Sequence, residues 1–461
     1  MRATEPGLAR MAIIDPALRL DTAAPFLAPA PFRRVRLSFY LIRFGWIAGL
    51  VAFVSFAIMW VQWQNAGPGI AKVSGDFVSF WTAGKLALAG HAADAYREEP
   101  HYAMQLALHG DNGWGYVAFF YPPFFLLLCV VFALLSYLPA LCLWLGSTCL
   151  CYAAALRGLM PKDLRGGEPI WMLFLGYPAV MVNAGFGQNG FLSAGLLGGA
   201  AMWLDRRPEL AGLCFGCLAY KPQLGIVVPL ALAVAGRWRC FAVAAATVLA
   251  LAAAATLAFG ADIWPAFLAG MTEARHHWME RPNPLYLKYW ITVYGAVRLH
   301  GGPLVLAYAA QAATSVTAAA LLAWALLRRP PGARSGRAEV AAIAACMPFC
   351  SPFMLEYDLL ILAVPMAWLL GEALRDGFRR GEIAALIAAY LAPALFKVTA
   401  FDNALKLSVI AAAALLFAVV LRRCATPNAA AAADPGAMAT ARPMPDPGRP
   451  EAADRSGRFA R

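Results

Sequence analysis

The 461-residue chain has the composition of a membrane protein, since 61% of its residues are hydrophobic and only 14% are charged. This is about half the charged share of a soluble domain. The net charge of +12 does not indicate nucleic-acid binding, because Lys and Arg cluster at the ends of apolar segments, where they set topology. The composition therefore predicts an all-α polytopic protein whose partners include membrane lipids and no nucleic acid.

The N-terminal region sets the orientation that we expect for the chain. Residues 1–36 are rich in Ala, Pro and Arg and end in a basic cluster, and the apolar run 37–60 that follows is long enough to span a bilayer. The positive-inside rule then keeps the N-terminus in the cytoplasm and places Asp76 outside. We predict a disordered cytoplasmic segment at 1–36, one transmembrane domain at 37–423 and a disordered cytoplasmic tail at 424–461.

The first external loop, residues 62–115, is too polar to span and contains a further helix signal. Between Phe77 and Ala89 the apolar residues recur at helical spacing, with Lys85 as the charged residue. This pattern is typical of a helix that lies in the membrane interface.

The remaining apolar segments predict a bundle of about twelve transmembrane helices. Thirteen segments are present. The basic flanks put both termini inside, which requires an even number of crossings. The number of crossings is left open within 117–204. Two segments that are each shorter than a full span, 210–220 and 224–235, meet at Lys221-Pro222. We interpret them as a re-entrant or tilted hairpin, in which the lysine requires an anionic partner. After 37–60, the segments are 117–137, 138–155, 170–183, 191–204, 210–220, 224–235, 241–259, 304–327, 340–349, 359–370, 383–396 and 404–421.

The flanking charges put several polar features on the same, external side of the membrane. They are the Asp76 loop, the loop 260–302 and the turn 351–358, joined by Gln188-Asn189 and Lys221. Together they indicate a site for an anionic, partly lipidic substrate. In such a site Asp76 can act as a general base, and the candidates for phosphate contact are the cations Lys221, Lys288 and Arg298.

Motifs in these loops resemble glycosyltransferase family 87, whose members are mannosyltransferase-like membrane enzymes of the GT-C fold. The resemblance spans roughly 37–421 and rests on the order of individually weak motifs: Asp76-Phe77, Gly90, Tyr96, Tyr121-Pro122-Pro123, Gly187-Gln188-Asn189, Gly212 to Lys221-Pro222, Ser351-Pro352 and Tyr357-Asp358.

The resemblance implies a polyprenyl-phosphate sugar as donor, with mannose as the expected sugar, a lipid or glycan hydroxyl as acceptor, and inversion at the anomeric carbon. Asp76 matches the catalytic aspartate, and no metal or cofactor is predicted. The protein would be a multi-pass protein of the cell membrane, expected in a bacterial inner membrane, with its active site outside. The substrate-binding candidates are Tyr121, Gln188, Asn189, Lys221, Lys288, Arg298, Glu356, Tyr357 and Asp358.

One departure from the family pattern concerns the turn 351–358. Some members carry histidine before the Tyr-Asp pair, where this chain has Glu356. The phosphate-binding role therefore shifts from this turn towards Lys221, Lys288 and Arg298.

Simpler interpretations stand beside these assignments. Asp76 could cap the interface helix, Lys221 could snorkel to the interface, Gln188-Asn189 could form a plain turn, and Tyr357-Asp358 could be a structural pair. A transporter or flippase of a lipid-linked or anionic substrate is the alternative function, since broken helices also bind substrates in transporters. No internal repeat supports that alternative.

Overall fold

The structure is a computed structural model. It describes residues 75–111, 115–160, 170–281, 287–329, 335–398 and 404–426, and a few positions between Arg43 and Val61. Within these ranges the chain is helical and forms no strand, apart from an isolated bridge between Trp290 and Leu355. The predicted all-α class is therefore confirmed. The expectations for 1–36, most of 37–60 and most of 424–461 concern residues outside the described ranges.

The helices follow one another with short connections. In chain order they are α1 (Phe77–Leu88), α2 (Glu98–His109), α3 (Pro123–Ala133), α4 (Tyr137–Leu159), α5 (Pro178–Phe186), α6 (Gly190–Trp203), α7 (Pro208–Leu218), α8 (Pro222–Gly225), α9 (Val227–Val234), α10 (Trp238–Phe259), α11 (Ile263–Ala274), α12 (Val293–Leu299), α13 (Leu304–Leu327), α14 (Gly336–Cys346), α15 (Ala363–Asp376), α16 (Glu382–Val398) and α17 (Ala404–Ala425). Short helical segments of other types are Ala92–Tyr96, Ile170–Phe174, Arg275–Glu280, Met347–Phe349 and Glu356–Leu362.

Five helical stretches within the described part of the chain are long and apolar enough to cross a membrane. They are Tyr137–Leu159, Trp238–Phe259, Leu304–Leu327, Glu356–Asp376 and Leu407–Ala425. The other apolar helices have 10 to 17 residues, which is less than the roughly 20 that a perpendicular span requires. The chain is thus a helical membrane protein, while the number of about twelve spans stays a prediction.

Helix α1 forms where the periodicity predicts it but is packed inside the protein. Nine of its 12 residues are buried, and the indole nitrogen of Trp81 donates to the carbonyl of Leu135 at 3.0 Å. The contact with α3 depends on Gly84, because a Cβ atom there would lie 2.4 Å from the carbonyl oxygen of Cys129. The sequence predicts a helix that lies in the membrane interface, whereas α1 is covered by α3, because Gly84 allows the two helices to approach closely.

Basic residues from several segment ends meet in one largely buried ionic cluster, which we call the basic end. Arg237 bonds both carboxylate oxygens of Glu339 at 2.8 and 2.9 Å, and Arg423 contacts Glu382 at 2.7 Å. Arg329 joins the two groups, because it lies 3.6 Å from Glu339 and donates to the carbonyl of Cys424. The members are Asp205, Arg237, Arg329, Glu339, Glu382 and Arg423.

Helix α6 connects the basic end to the region described below. Its 14 residues correspond to a length of about 21 Å at 1.5 Å per residue. Asp205, which bonds Arg237 at 2.8 Å, follows its C-terminus, and Asn189 precedes its N-terminus. The two ends of α6 therefore hold two separate polar regions.

Candidate functional site

A cavity of about 200 Å³ collects most of the polar residues that the sequence singles out. The predicted residues that line it are Asp76, Tyr121, Gln188, Lys221, Glu356, Tyr357 and Asp358. They come from five separate parts of the chain: the start of α1, the segment before α3, the α5–α6 turn, the junction of α7 and α8, and the turn before α15. The fold thus converts dispersed motifs into one concave site, the usual form of a small-molecule site.

Asp76 lies at the N-cap position of α1, but its side chain makes no capping hydrogen bond. Its Oδ2 instead accepts a hydrogen bond from Nε2 of Gln188 at 2.9 Å. The Oε1 atom of Gln188 accepts in turn from the hydroxyl of Tyr121 at 3.3 Å. The amide therefore orients the Asp76 carboxylate at the cavity surface.

The turn between α5 and α6 explains why Gln188 points to Asp76. Helix α5 ends at Gly187, whose φ of 69° is left-handed and costs glycine little. Its carbonyl accepts from the indole nitrogen of Trp144 at 3.0 Å, and Asn183 Oδ1 accepts from the Gly190 amide at 2.7 Å. Both ends of the turn are thereby fixed.

Lys221 is buried at the end of α7 and has the anionic partner that its position requires. Its side chain forms an ion pair with Asp358, and Nζ donates to Oδ1 of Asn189 at 2.9 Å. Nζ also lies 5.2 Å from the ring centroid of Tyr357. Lys221 is only 2% exposed, so this pair offsets the cost of removing two charges from water.

Asn189, Lys288 and Arg298 are not among the residues that line the cavity. Asn189 accepts a hydrogen bond from Nζ of Lys221. Arg298 donates to the carbonyls of Gly302 and Glu280 at 2.9 and 3.4 Å, which keeps its guanidinium within its own loop. Lys288 precedes Tyr289 and Trp290, whose rings do line the cavity. Of the three cations considered for phosphate contact, the structure brings Lys221 to the site.

The sequence analysis missed an aromatic part of the cavity lining. These residues are Phe80, Tyr116, Phe120, Phe186, Trp278, Tyr289, Trp290 and Phe353. Phe120 and Trp278 are in contact, with ring centroids 6.3 Å apart. Three of them, Trp278, Tyr289 and Trp290, lie in the loop 260–302, where the density of Trp and Tyr is a signal. Aromatic residues are common in membrane-protein loops and cores, so composition alone does not select any of them.

In the predicted external loop 260–302, His276 forms a pair with Glu280. Nδ1 of His276 lies 2.6 Å from the Glu280 carboxylate, and the imidazole is more than half exposed. Within the described ranges no group of three or more His, Cys, Asp or Glu side chains is arranged to hold a metal ion.

Comparison with known protein families gives this cavity a chemical context. A profile of glycosyltransferase family 87 matches residues 119–352, about half of the chain, and the matched range includes Tyr121, Gln188 and Lys221. Searches of curated proteins and of solved structures returned no match. The resemblance in the loops and the match over half the length agree, and the chain belongs to glycosyltransferase family 87.

Proposed function

We propose that the protein transfers mannose from a polyprenyl-phosphate donor to a hydroxyl of a lipid or glycan, with inversion and with Asp76 as general base. The observation that carries the proposal is the Asp76 carboxylate at the cavity surface, oriented by Gln188 at 2.9 Å. Family membership favours a transferase over the transporter alternative.

The proposed reaction is a single displacement at the anomeric carbon. The Asp76 carboxylate takes the proton of the acceptor hydroxyl, and the acceptor oxygen forms a bond to the anomeric carbon. The bond from that carbon to the phosphate oxygen breaks, and the polyprenyl phosphate leaves with the electron pair. Attack from the face opposite the leaving group inverts the anomeric configuration. Base catalysis of this kind contributes about 10² to 10⁴ in rate.

The charges around the cavity support separate binding positions for the sugar and the phosphate of the donor. Asp76, Glu356 and Asp358 are carboxylates, while Lys221 is a lysine already paired with Asp358. Carboxylates accept hydrogen bonds from sugar hydroxyls, so we place the neutral sugar among them. We assign the phosphate to Lys221, whose ammonium group has three donors, of which two bond Asp358 and Asn189.

We also propose that the cavity opens on the extracytoplasmic side. The support is the position of the basic end, where Arg237, Arg329 and Arg423 meet at the other end of α6. Basic clusters mark the cytoplasmic side of membrane proteins. The donor lipid would then present its sugar from the outer leaflet, in a cell membrane.

The test uses purified protein, radiolabelled polyprenyl-phosphate mannose and membrane lipid extract. We expect transfer by the wild type and a loss of at least about 100-fold in Asp76→Asn. The matched control is Asp262→Asn. Asp262 is also a helix N-cap without a side-chain cap bond, but it is exposed and away from the cavity lining, so this variant should keep full activity.

Equal transfer by the wild type and Asp76→Asn would remove Asp76 from the mechanism. Absence of transfer by the wild type would exclude mannose as the sugar moved under these conditions. A panel of other polyprenyl-phosphate sugars would then identify the donor, with the same pair of variants.

A further inference from the structure

One wall of the cavity is a non-helical segment that is held by hydrogen bonds from buried side chains. Residues 116–121, which we call the cavity wall, lie outside regular secondary structure, and five of these six residues line the cavity. The backbone groups of such a segment have no helical partners, so they need hydrogen bonds from elsewhere.

Gln105, on α2, supplies both bonds of one wall residue. Its Oε1 accepts from the backbone N–H of Val117 at 3.2 Å, and its Nε2 donates to the carbonyl of the same residue at 2.7 Å. The side chain thereby imitates a neighbouring β-strand. Gln105 is 2% exposed, so water cannot readily replace these bonds.

Two further side chains hold the rest of the wall. The hydroxyl of Ser79, on α1, donates to the carbonyl of Ala118 at 3.0 Å. The hydroxyl of Tyr96 donates to the carbonyl of Tyr121 at 3.0 Å. The wall is therefore fixed at three points along its length.

His101 lies at the centre of this buried layer. Its Nε2 is 2.9 Å from the hydroxyl of Thr82, 3.2 Å from the carbonyl of Ser79 and 3.3 Å from Nε2 of Gln105. Its Nδ1 is 3.4 Å from the hydroxyl of Tyr116. The imidazole thus connects α1, α2 and the first wall residue.

We propose that Gln105 is a positioning residue that fixes the cavity wall and thereby sets substrate affinity. The wall ends in Tyr121, whose hydroxyl bonds Gln188, the residue that orients Asp76. Displacement of the wall would change the cavity surface that meets the substrate. The link to affinity rests on the proposed transferase function, whereas the link to wall position does not.

The test compares Gln105→Leu with Gln311→Leu. Gln311 is a matched control, because it is also buried and also bridges two backbone groups: it accepts from the Tyr294 amide at 3.1 Å and donates to the Phe349 carbonyl at 3.0 Å. None of these three residues lines the cavity. Hydrogen exchange with mass spectrometry reports wall mobility, and steady-state kinetics report KM and kcat for donor and acceptor.

In Gln105→Leu we expect faster exchange in the wall and a KM about tenfold higher for at least one substrate, with a smaller change in kcat. Gln105→Glu should shift both quantities in the same direction, since a carboxylate accepts from the Val117 amide but cannot donate to its carbonyl. Gln311→Leu should change exchange around 293–295 and leave both KM values unaltered.

Unchanged exchange in the wall of Gln105→Leu would overturn the positioning role. Equal KM effects in the two leucine variants would show general destabilisation and overturn the link to affinity. If the wild type transferred no sugar from any donor, the proposed function would fail, while the exchange comparison would still decide the position of the wall.

Discussion

The buried pair of Lys221 and Asp358 joins stability and chemistry in two residues. Both side chains are 3% exposed, and Asp358 also accepts from the backbone amide of Leu355 at 3.2 Å. The pair therefore ties the end of α7 to the turn before α15. Loss of one charge leaves the other buried without compensation, which is more costly than loss of both.

We expect Lys221→Met to lower the free energy of unfolding by about 3–5 kcal/mol. The double variant Lys221→Met with Asp358→Leu should recover most of that stability but not transfer activity, since the proposed phosphate contact is still missing. Unfolding temperature in detergent, measured beside a transfer assay, checks both parts.

The exposed pair of Arg239 and Glu209 provides the control for this prediction. Its side chains are 80% and 45% exposed, so Arg239→Met should cost at most about 1 kcal/mol. Similar losses in Arg239→Met and Lys221→Met would show that burial of the Lys221 pair has no special effect.

His101 predicts a dependence of stability on pH. Burial lowers the pKa of its imidazole from 6.5 to about 4, so the folded protein keeps it neutral where the unfolded chain binds a proton. Stability should therefore be fully present above about pH 6.5 and fall as the pH drops towards 4, by up to about 3 kcal/mol. Unfolding measured between pH 4 and 7.5 tests this against His101→Gln, whose curve should be flatter. Parallel curves would contradict the assignment.

Among the elements, α1 is a helix that the sequence predicts, but its contact with α3 is not predicted. The apolar spacing between Phe77 and Ala89 gives a helix at Phe77–Leu88, but it does not reveal which face meets α3. Similarly, the predicted segment 304–327 agrees with α13. The predicted segments 210–220 and 224–235 correspond to α7 and to α8 with α9, and the chain breaks at Lys221 as predicted. Hydropathy thus detects apolar runs and the polar breaks between them, but it does not show how the helices pack.

The contact of α1 with α3 predicts that a Gly→Ala substitution changes stability differently at two sites. Gly84→Ala would force a Cβ atom against the carbonyl of Cys129, and overpacking of this kind typically costs about 1–3 kcal/mol. At Gly146, on α4, a Cβ atom meets nothing within 4 Å, so Gly146→Ala should be neutral or stabilising by up to about 1 kcal/mol. Thermal unfolding of both variants checks the signs, and destabilisation by both would contradict the packing argument.

For the whole molecule, the sequence predicts the polar residues of the candidate site better than the residues that form or support the cavity walls. Asp76, Gln188, Lys221 and Asp358 stand in polar breaks between apolar runs, and their charge or amide groups make them visible. Gln105 and the aromatic lining residues are not visible in this way, because their role depends on contacts between distant segments. Polar residues at helix breaks can thus be found by inspection, whereas the groups that support them need the fold.

The separation of the cavity from the basic end predicts the sidedness of the molecule. In a background without the native cysteines, His276→Cys should react with a membrane-impermeant maleimide added outside intact cells. Arg239→Cys, beyond the basic end, should react only after the membrane is opened. Both positions are exposed, so accessibility in the protein does not bias the comparison. The reverse pattern would place the cavity on the cytoplasmic side.

The pairing of Lys221 with Asp358 also imposes an order of events during synthesis. The two residues are 137 positions apart, and at typical elongation rates this distance takes on the order of 10 s to translate. Until Asp358 is made, the nascent chain has a lysine that cannot reach its native counter-charge. A chain that terminates between the two positions retains this cation without its native counter-charge. The ion pair that ties Lys221 to the turn before α15 thus forms only after that turn is made.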